Sequence, residues 1–326
     1  MRRKKLFYSF VLIMLFAGLA LVPGVRAGYP EKPIEFVVHS SPGGGSDMFT
    51  RTVAHILEKE GLVKQKINVV NRRGGGGTVA LNYLHSKRGD PYVVMQVTTS
   101  PLSAVLRGSS KMKLDDLTFI ARVVVDPNLA FTRDESRFKD MKSLIAYAKE
   151  HPKLITVSFG NVGGSEHICA HRVSRAAGVE LNMVSFKSGA GAAVALLGGH
   201  VDFSFGNVNE QMGQIEAKKI RPLAAMTQKR IPFLPDVPTM KEEGINAQFT
   251  QIRGFWAPKD FPSDARDFWE ETFFKLTKTK GFEDYLKTTY GVNAFLKHKE
   301  FKEFVVGYLK DLKRDVEELG VYKKKK

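Results

Sequence analysis

Short apolar runs alternate with amphipathic stretches from residue 34 onward, a pattern typical of an α/β fold. The apolar runs predict strands at Ile34–His39, Ile67–Asn71, Val93–Thr98, Phe119–Val125, Ile155–Phe159, Met183–Phe186, Val201–Phe205, Arg221–Met226 and Ile252–Ala257. Apolar positions at helical spacing predict helices at Asp47–Lys59, Thr78–Ser86, Met141–Glu150, Glu166–Ala177, Ala192–Leu197 and Glu210–Ala217. We expect the strand that begins at Phe119 to be closed by Asp126-Pro127.

Two long helices are predicted to close the chain. Each has a single apolar face, which we expect to pack into the core. The first face consists of Ala265, Phe268, Trp269, Phe273 and Leu276, and the second of Phe301, Phe304, Val305, Tyr308, Leu312, Val316 and Leu319.

Residues 1–27 have the pattern of a cleaved secretion signal. Four basic residues from Arg2 to Lys5 precede an apolar run from Leu6 to Val22, and Val25-Arg26-Ala27 places small residues at the −3 and −1 positions of a cleavage site. A membrane anchor is the alternative, but a run of about 17 residues is short for a spanning helix. We expect export, and no cysteine follows the site to carry a lipid anchor.

Cysteine usage and charge narrow the cellular setting. Cys169 is the single cysteine among 326 residues, so an internal disulfide is excluded, which fits a bacterial periplasm. The formal charge of +16 raises encounter rates with anionic ligands, or it only keeps the protein soluble. Nucleic acid is not an expected partner, because the sequence contains no aromatic-basic binding module.

Three polar, glycine-rich loops follow predicted strands and precede predicted helices. In an open α/β sheet such loops meet at the carboxyl edge, where free N–H groups of helix N-termini bind carboxylate or phosphate. In the first loop, Ser46 or Asp47 is the expected N-cap. The candidate ligand-binding residues are Ser40, Ser41, Gly43, Gly44, Gly45, Ser46 and Asp47 in the first loop, Gly76 and Thr78 in the second, and Asn161, Gly164, Ser165 and His167 in the third.

Catalytic motifs are incomplete in these loops. A P-loop requires Gly-Lys-Ser/Thr where Gly45-Ser46-Asp47 stands, a dinucleotide fingerprint requires a third glycine, and a nucleophile elbow requires glycine where His167 stands. His167 and His171 have the spacing of a zinc pair, but no third ligand is apparent. His167 is therefore expected to be a first-turn ligand or a loop contact. Asp47 has two interpretations: a cap that holds the glycine loop, or a contact to an ammonium or hydroxyl group of a ligand.

Six motifs, in this order, resemble the tripartite tricarboxylate transporter receptor family, the TctC or Bug proteins. They are Pro42–Asp47, Val69–Gly77, Gly163–His167, Phe186–Gly189, Leu196–Asp202 and Leu234–Thr239. The resemblance implies a type II periplasmic-binding-protein fold, no cofactor and no catalysis. It also implies that the first and third loops, with Ser188 and Gly189, hold a carboxylate, and that a membrane permease receives the ligand. Asn207 completes the candidate ligand contacts, and Asp202 is expected to support the second-lobe loops.

Several positions depart from the family pattern. His39-Ser40 stands where the family commonly has Pro-Phe or Pro-Tyr, Arg73 and Ser185 replace prolines, and Gly206 replaces a frequent aspartate. We expect ligand choice to differ at the edge formed by His39 and Ser40.

The sequence thus predicts two α/β lobes that close around a cleft. Lobe 1 is expected to comprise residues 28–126 plus 250–326, and lobe 2 residues 127–249. The predicted function is a monomeric periplasmic receptor that captures a small carboxylate and delivers it to a tripartite tricarboxylate-type transporter. The alternatives are a sensor that presents its closed form to a membrane signalling partner, or a hydrolase that uses Ser165 with His167 or a metal.

Overall fold

The computed structural model of this protein describes residues 28–186, 188–232 and 234–321. The predicted secretion signal at residues 1–27 lies outside the described residues. Within the described ranges, no helix has both the length and the apolar character needed to cross a membrane.

Strands and helices alternate over most of the chain. The strands are β1 (Ile34–Val38), β2 (Ile67–Asn71), β3 (Val93–Val97), β4 (Leu117–Arg133), β5 (Thr156–Phe159), β6 (Asn182–Ser185), β7 (Phe203–Asn207), β8 (Ile220–Ala225), β9 (Thr250–Pro258) and β10 (Val292–Leu296). The helices are α1 (Gly45–Lys59), α2 (Thr78–Ser86), α3 (Thr99–Leu106), α4 (Met141–Glu150), α5 (Ser165–Ala177), α6 (Gly189–Leu197), α7 (Val208–Glu216), α8 (Ser263–Leu276), α9 (Lys280–Thr289) and α10 (His298–Glu318). The predicted α/β class is confirmed.

The strands pair in the order β2-β1-β3-β9-β4-β7-β5-β6, and β8 and β10 also pair with β4. β1 is parallel to β2 and β3, and β5 is parallel to β6 and β7, whereas β4 and β9 run antiparallel to their neighbours. The first part of β4, to Pro127, pairs with β9, and the part from Asn128 pairs with β7 and β8. We call the half with β1, β2, β3, β9, β10 and the first part of β4 lobe 1. The half with β5, β6, β7, β8 and the second part of β4 is lobe 2, and each lobe includes the helices packed on its strands.

Apolar stripes on helices bury against the strands and fix the lobe 1 core. Trp269 and Phe273 of α8 are fully buried against Phe36 of β1 and Phe255 of β9. The ring centroids of Phe255 and Phe273 are 4.3 Å apart, and those of Phe36 and Trp269 are 5.1 Å apart. Such aromatic contacts supply much of the apolar area that holds a helix to a sheet. The predicted core faces of the two long C-terminal helices are therefore confirmed, with Phe268, Phe304, Tyr308 and Leu319 only partly buried at their margins.

The prediction that the strand ends at Asp126-Pro127 is wrong. β4 continues through Pro127 to Arg133. A proline has no N–H for the ladder, and Pro127 lies opposite Thr250, the first residue of β9, where β4 passes from one set of partners to the other. The strand tolerates proline because it stands where the pairing changes.

Three elements were not predicted: α3, α9 and β10. Pro101 lies in the first turn of α3, where the backbone N–H groups have no intrahelical acceptor and a proline costs little. Helix α9 has Thr279 as its N-cap, and the Thr279 hydroxyl accepts a hydrogen bond from the Phe282 N–H at 3.2 Å.

Candidate functional site

A cleft of about 880 Å³ lies at the carboxyl ends of the parallel strands. The three glycine-rich loops line it, together with the start of α6 and side chains from α3, α7 and β9. Of the predicted ligand contacts, those that line it are Ser40, Ser41, Gly44, Gly45, Ser46, Gly76, Thr78, Asn161, Ser165, Ser188 and Gly189. Gly43, Asp47, Gly164, His167 and Asn207 are not among the lining residues.

The first loop joins β1 to α1. The helix begins at Gly45 with Gly44 as its N-cap, so the expectation that Ser46 or Asp47 is the N-cap is wrong. Gly44 makes no side-chain cap, and the backbone N–H groups of the first turn are left to other acceptors. Gly43 has a φ of +79°, a conformation that favours glycine over any residue with a Cβ.

The Asp47 side chain holds the first loop in place by hydrogen bonds. Its carboxylate accepts hydrogen bonds from the Gly43 N–H at 2.9 Å, from Arg51 Nε at 3.0 Å and from Asn71 Nδ2 at 2.9 Å. Burial acts to raise the pKa of Asp47, but the bonds from Arg51, Gly43 and Asn71 outweigh it and keep that pKa below its ordinary value. The geometry corresponds to the interpretation of Asp47 as the residue that holds the glycine loop.

The second loop contains four consecutive glycines with positive φ, Gly74 to Gly77. A Cβ at Gly76 would lie 3.0 Å from Arg107 Nη2 and 3.1 Å from the Val162 carbonyl oxygen. The second loop therefore lies close to both Arg107 and the third loop, where the two lobes meet. Thr78 donates to the Gly75 carbonyl at 2.8 Å and lies 2.9 Å from the Ser109 hydroxyl.

His167 supports the third loop. Its Nδ1 accepts a hydrogen bond from the Gly163 N–H at 3.1 Å, and its ring stacks on Phe159 with centroids 4.0 Å apart. Burial lowers the pKa of His167 to about 4, with His171 and Arg107 adding to the shift, so the ring is neutral at pH 7. The hydrogen bonds of the described residues include none between Ser165 and His167, and the pair lacks the contact that a nucleophile and its base require.

The histidine pair has other partners. His171 Nε2 lies 2.8 Å from Glu318 of α10. The described part of the chain contains no group of three or more histidine, cysteine, aspartate or glutamate side chains arranged to hold a metal ion.

The remaining predicted residues lie in lobe 2. Ser188 caps α6, where its hydroxyl accepts from the Gly191 N–H at 3.1 Å. Asn207 donates to the Pro127 carbonyl at 3.3 Å and accepts from Arg253, so it ties β7 to the crossover strand β4. Asp202 accepts from the Thr156 N–H and hydroxyl, both at 2.7 Å. Since those contacts lie where β5 and β7 begin, Asp202 supports the strands from the end opposite the cleft.

The sequence of this chain matches the model of a known protein family. The model of the tripartite tricarboxylate transporter family receptor matches residues 49–321. This chain belongs to the tripartite tricarboxylate transporter receptor family.

Relatives of this receptor family cover most of the chain. A UPF0065 protein of Cupriavidus necator is 27% identical over 313 residues, 94% of each chain, and BugT of Bordetella pertussis is 29% identical over 232 residues, 70% of each chain.

Solved structures show the same two-lobe fold. The periplasmic binding protein BugD is 24% identical with a TM-score of 0.81, covering 91% of this chain and 100% of its own. An R. palustris protein with adipate is 23% identical with a TM-score of 0.84, covering 90% and 98%. MatC of Rhodopseudomonas palustris with bound malate is 20% identical with a TM-score of 0.80, covering 88% and 100%. The predicted type II periplasmic-binding-protein fold is therefore confirmed.

The receptor's cleft also contains charged side chains that the sequence did not single out. Arg107 follows α3 and lines the cleft, with Nε and Nη2 both buried and without a hydrogen-bond partner among the described residues. Burial lowers the pKa of Arg107 from its ordinary high value. The sequence did not single out Arg107 as a cleft residue, because the helix that it follows, α3, was not predicted.

Arg253 of β9 lies at the floor of the receptor's cleft. It is 1% exposed, forms an ion pair with Asp126 of β4, and donates to Asn207 at 3.4 Å. An arginine inside the apolar run Ile252–Ala257 is a signal that sequence reasoning could have used, because a buried cation requires partners.

Two glutamates of lobe 2 complete the receptor's cleft. Glu166 and Glu210 both line it, each in the first turn of its helix.

His39 lies beside Thr98, with Nε2 at 3.4 Å from the Thr98 hydroxyl, and is 5% exposed. Burial and then Arg253 lower the pKa of His39 to about 3, so it faces the cleft as a neutral ring.

Proposed function

We propose that this protein is a periplasmic receptor that captures a small carboxylate between its lobes and delivers it to a tripartite tricarboxylate-type transporter. The observation that carries the proposal is the half-buried Arg107 guanidinium, which lines the cleft with two nitrogen atoms lacking partners among the described residues. An arginine fork is matched to a planar carboxylate, and charge-assisted hydrogen bonds of this kind are strong. The adipate and malate seen in two proteins of the same fold are carboxylates of suitable size.

The remaining parts of the proposal follow from the family. Its members are receptors, and we propose that this chain likewise has no catalytic activity and needs no cofactor. Export through a signal at residues 1–27, a monomeric state and membrane permease subunits as partners belong to the same proposal. We further propose that lobe 1 comprises residues 28–126 plus 250–326 and lobe 2 residues 127–249, with closure by a hinge where β4 and β9 pass between them.

Thermal unfolding with a carboxylate panel tests ligand capture. The protein from residue 28 onward is heated alone and with succinate, glutarate, adipate, malate or citrate, and with the amino carboxylates 4-aminobutanoate, 5-aminopentanoate or 6-aminohexanoate. A ligand at a hundred times its Kd adds about 2.7 kcal/mol to the free energy of unfolding. For a chain of this size we expect the melting temperature to rise by about 5 °C. A panel that leaves the melting temperature unchanged would overturn the proposal.

Arg107→Met separates binding from folding. Because the buried nitrogen atoms of Arg107 have no partners among the described residues, we expect folding stability to be kept and carboxylate affinity to fall by about 10- to 100-fold. Arg88→Met is the matched control, since Arg88 is exposed and pairs with Asp260 outside the cleft.

Delivery is tested by uptake of the identified carboxylate into cells that lack the receptor gene. We expect uptake to return with the wild-type gene and not with Arg107→Met. Unchanged uptake together with a lost transcriptional response to the carboxylate would replace transport by the sensor alternative.

A further inference from the structure

Two carboxylates of lobe 2 converge inside the cleft. Glu166 is 9% exposed, and Glu210 is half-buried. A Cβ built on Gly189 would lie 3.2 Å from Glu166 Oε1 and 3.3 Å from Glu210 Oε2. The two side chains therefore reach the same small region above the start of α6, and both border the ligand space.

These carboxylates lie beside the backbone donors that the sequence assigned to the ligand. A Cβ built on Gly45, the first residue of α1, would overlap Glu210 Oε1, so this carboxylate lies against the start of α1. Glu166 stands in the first turn of α5, the helix that follows the third loop. A ligand carboxylate placed between the first and third loops would therefore have two acidic side chains beside it.

The cations near this region do not balance the acids. Arg253 is the buried cation at the floor; it pairs with Asp126, and it also opposes the rise in the pKa of Glu210 and of Glu166, so one guanidinium faces three acids. The charge of Glu210 adds to burial in raising the pKa of Glu166 to about 7, as expected where acids outnumber cations. His39 is neutral, and its Nδ1 is buried without a hydrogen-bond partner among the described residues. A second cationic hydrogen-bond donor is the group that would balance the acids at this end of the cleft.

Arg107 borders different loops of the same cleft. Its Nη2 is 3.0 Å from the Cβ position of Gly76, and its Nε is 3.5 Å from that of Gly163. The cleft thus offers a cation without a hydrogen-bond partner in the described part of the chain beside the second and third loops, and two neighbouring acids beside the first loop and the start of α6.

We propose that the ligand carries a carboxylate at one end, bound by Arg107, and a protonated amine at the other, bound between Glu166 and Glu210. This inference rests on the proposed function and specifies its ligand class. An ammonium group has three N–H donors, which is enough to reach both carboxylates. A dicarboxylate of the same length would place its second anion against two acids.

Matched ligand pairs test the inference by calorimetric titration of the purified protein near neutral pH. The pairs are succinate with 4-aminobutanoate, glutarate with 5-aminopentanoate, and adipate with 6-aminohexanoate, so that an amine replaces one carboxylate at similar length. We expect at least one amino acid to bind ten times tighter or more than its partner dicarboxylate. We expect Glu166→Gln and Glu210→Gln each to weaken that amino acid by about tenfold while the dicarboxylate is unchanged or binds tighter.

The outcomes separate this inference from the proposed function. Dicarboxylates that bind as tightly as the amino acids in every pair overturn the inference and leave the receptor function standing. No binding by either class overturns both. The wild-type comparison needs no variant, so the test remains decisive if a glutamine variant folds poorly, which circular dichroism would reveal.

Discussion

Replacing Gly45 with alanine probes the contact between the lobes at the start of α1. A Cβ there would overlap Glu210 Oε1 and lie 2.9 Å from Glu210 Cδ and 3.0 Å from Arg253 Nη2. Carbon atoms in contact prefer about 3.5–4.0 Å, so the Glu210 carboxylate must withdraw from the start of α1 by roughly 1 Å. Overpacking of this kind costs about 1–3 kcal/mol, and alanine returns at most about 1 kcal/mol of helix propensity. We expect a net loss of about 1–2 kcal/mol.

Urea unfolding of five proteins measures this loss: wild type, Gly45→Ala, Gly44→Ala, Glu210→Ala and the double variant with both Gly45→Ala and Glu210→Ala. Gly44→Ala is the matched control, because its Cβ would lie 3.4 Å from the nearest atom, the Ser41 carbonyl oxygen, and its φ of −79° suits any residue. We expect that change to stay within about 0.5 kcal/mol. In a Glu210→Ala background, Gly45→Ala should become neutral or stabilising by up to about 1 kcal/mol. An equal cost of Gly45→Ala in both backgrounds would refute the assigned contact.

Three further changes test other parts of the structure. Asp47→Ala should cost about 1–3 kcal/mol in urea unfolding at neutral pH. Because the pKa of Asp47 is lowered in the folded state, the cost should shrink as pH falls from the ordinary value of 3.8 through the lower pKa of the folded state, and a cost that does not shrink would contradict this. For Glu166, burial and then Glu210 raise the pKa from 4.5 to about 7, so its contribution to stability is fully present below about pH 4.5 and is lost as pH rises through 7. The free energy of unfolding of wild type minus that of Glu166→Gln should therefore fall by about 3 kcal/mol at most across that window. A rise in this difference would contradict the assignment. Asp315→Ala should lower the free energy of unfolding by about 3 kcal/mol, because Arg172, which donates to Asp315 at 2.6 Å, then loses its buried partner. In thermal unfolding, the double variant Arg172→Met, Asp315→Leu should recover most of this loss.

Local signals predicted most of the strands, the helices and the glycine loops. An apolar run followed by Gly43 to Gly45 identifies a strand, a turn and a helix start within one short stretch of sequence. The exact cap was missed because Ser46 and Asp47 are good N-caps by type, whereas the turn itself places Gly44 there.

The charged floor of the cleft could not be predicted in the same way. A glutamate in the first turn of a helix is favourable to the helix dipole wherever it points, so Glu166 and Glu210 each look ordinary alone. Only the packing of α5 and α7 against the start of α6 shows that they meet above Gly189. Asn207, predicted as a ligand contact, bonds to Pro127 and Arg253, because β4 runs on beside it.

Strand β4 also sets the order in which this protein can acquire its structure. Synthesis proceeds from the N-terminus, so β3 and β4 are available well before β9, the strand that pairs with both in lobe 1. Pairing across so many residues is slow, and open apolar edges promote aggregation in the interval. Lobe 1 therefore stays incomplete until Thr250–Pro258 has been made, with Ile120, Val123 and Val124 of β4 left without their native cover. A chain that stops after residue 249 should accumulate as insoluble protein rather than as half of a receptor.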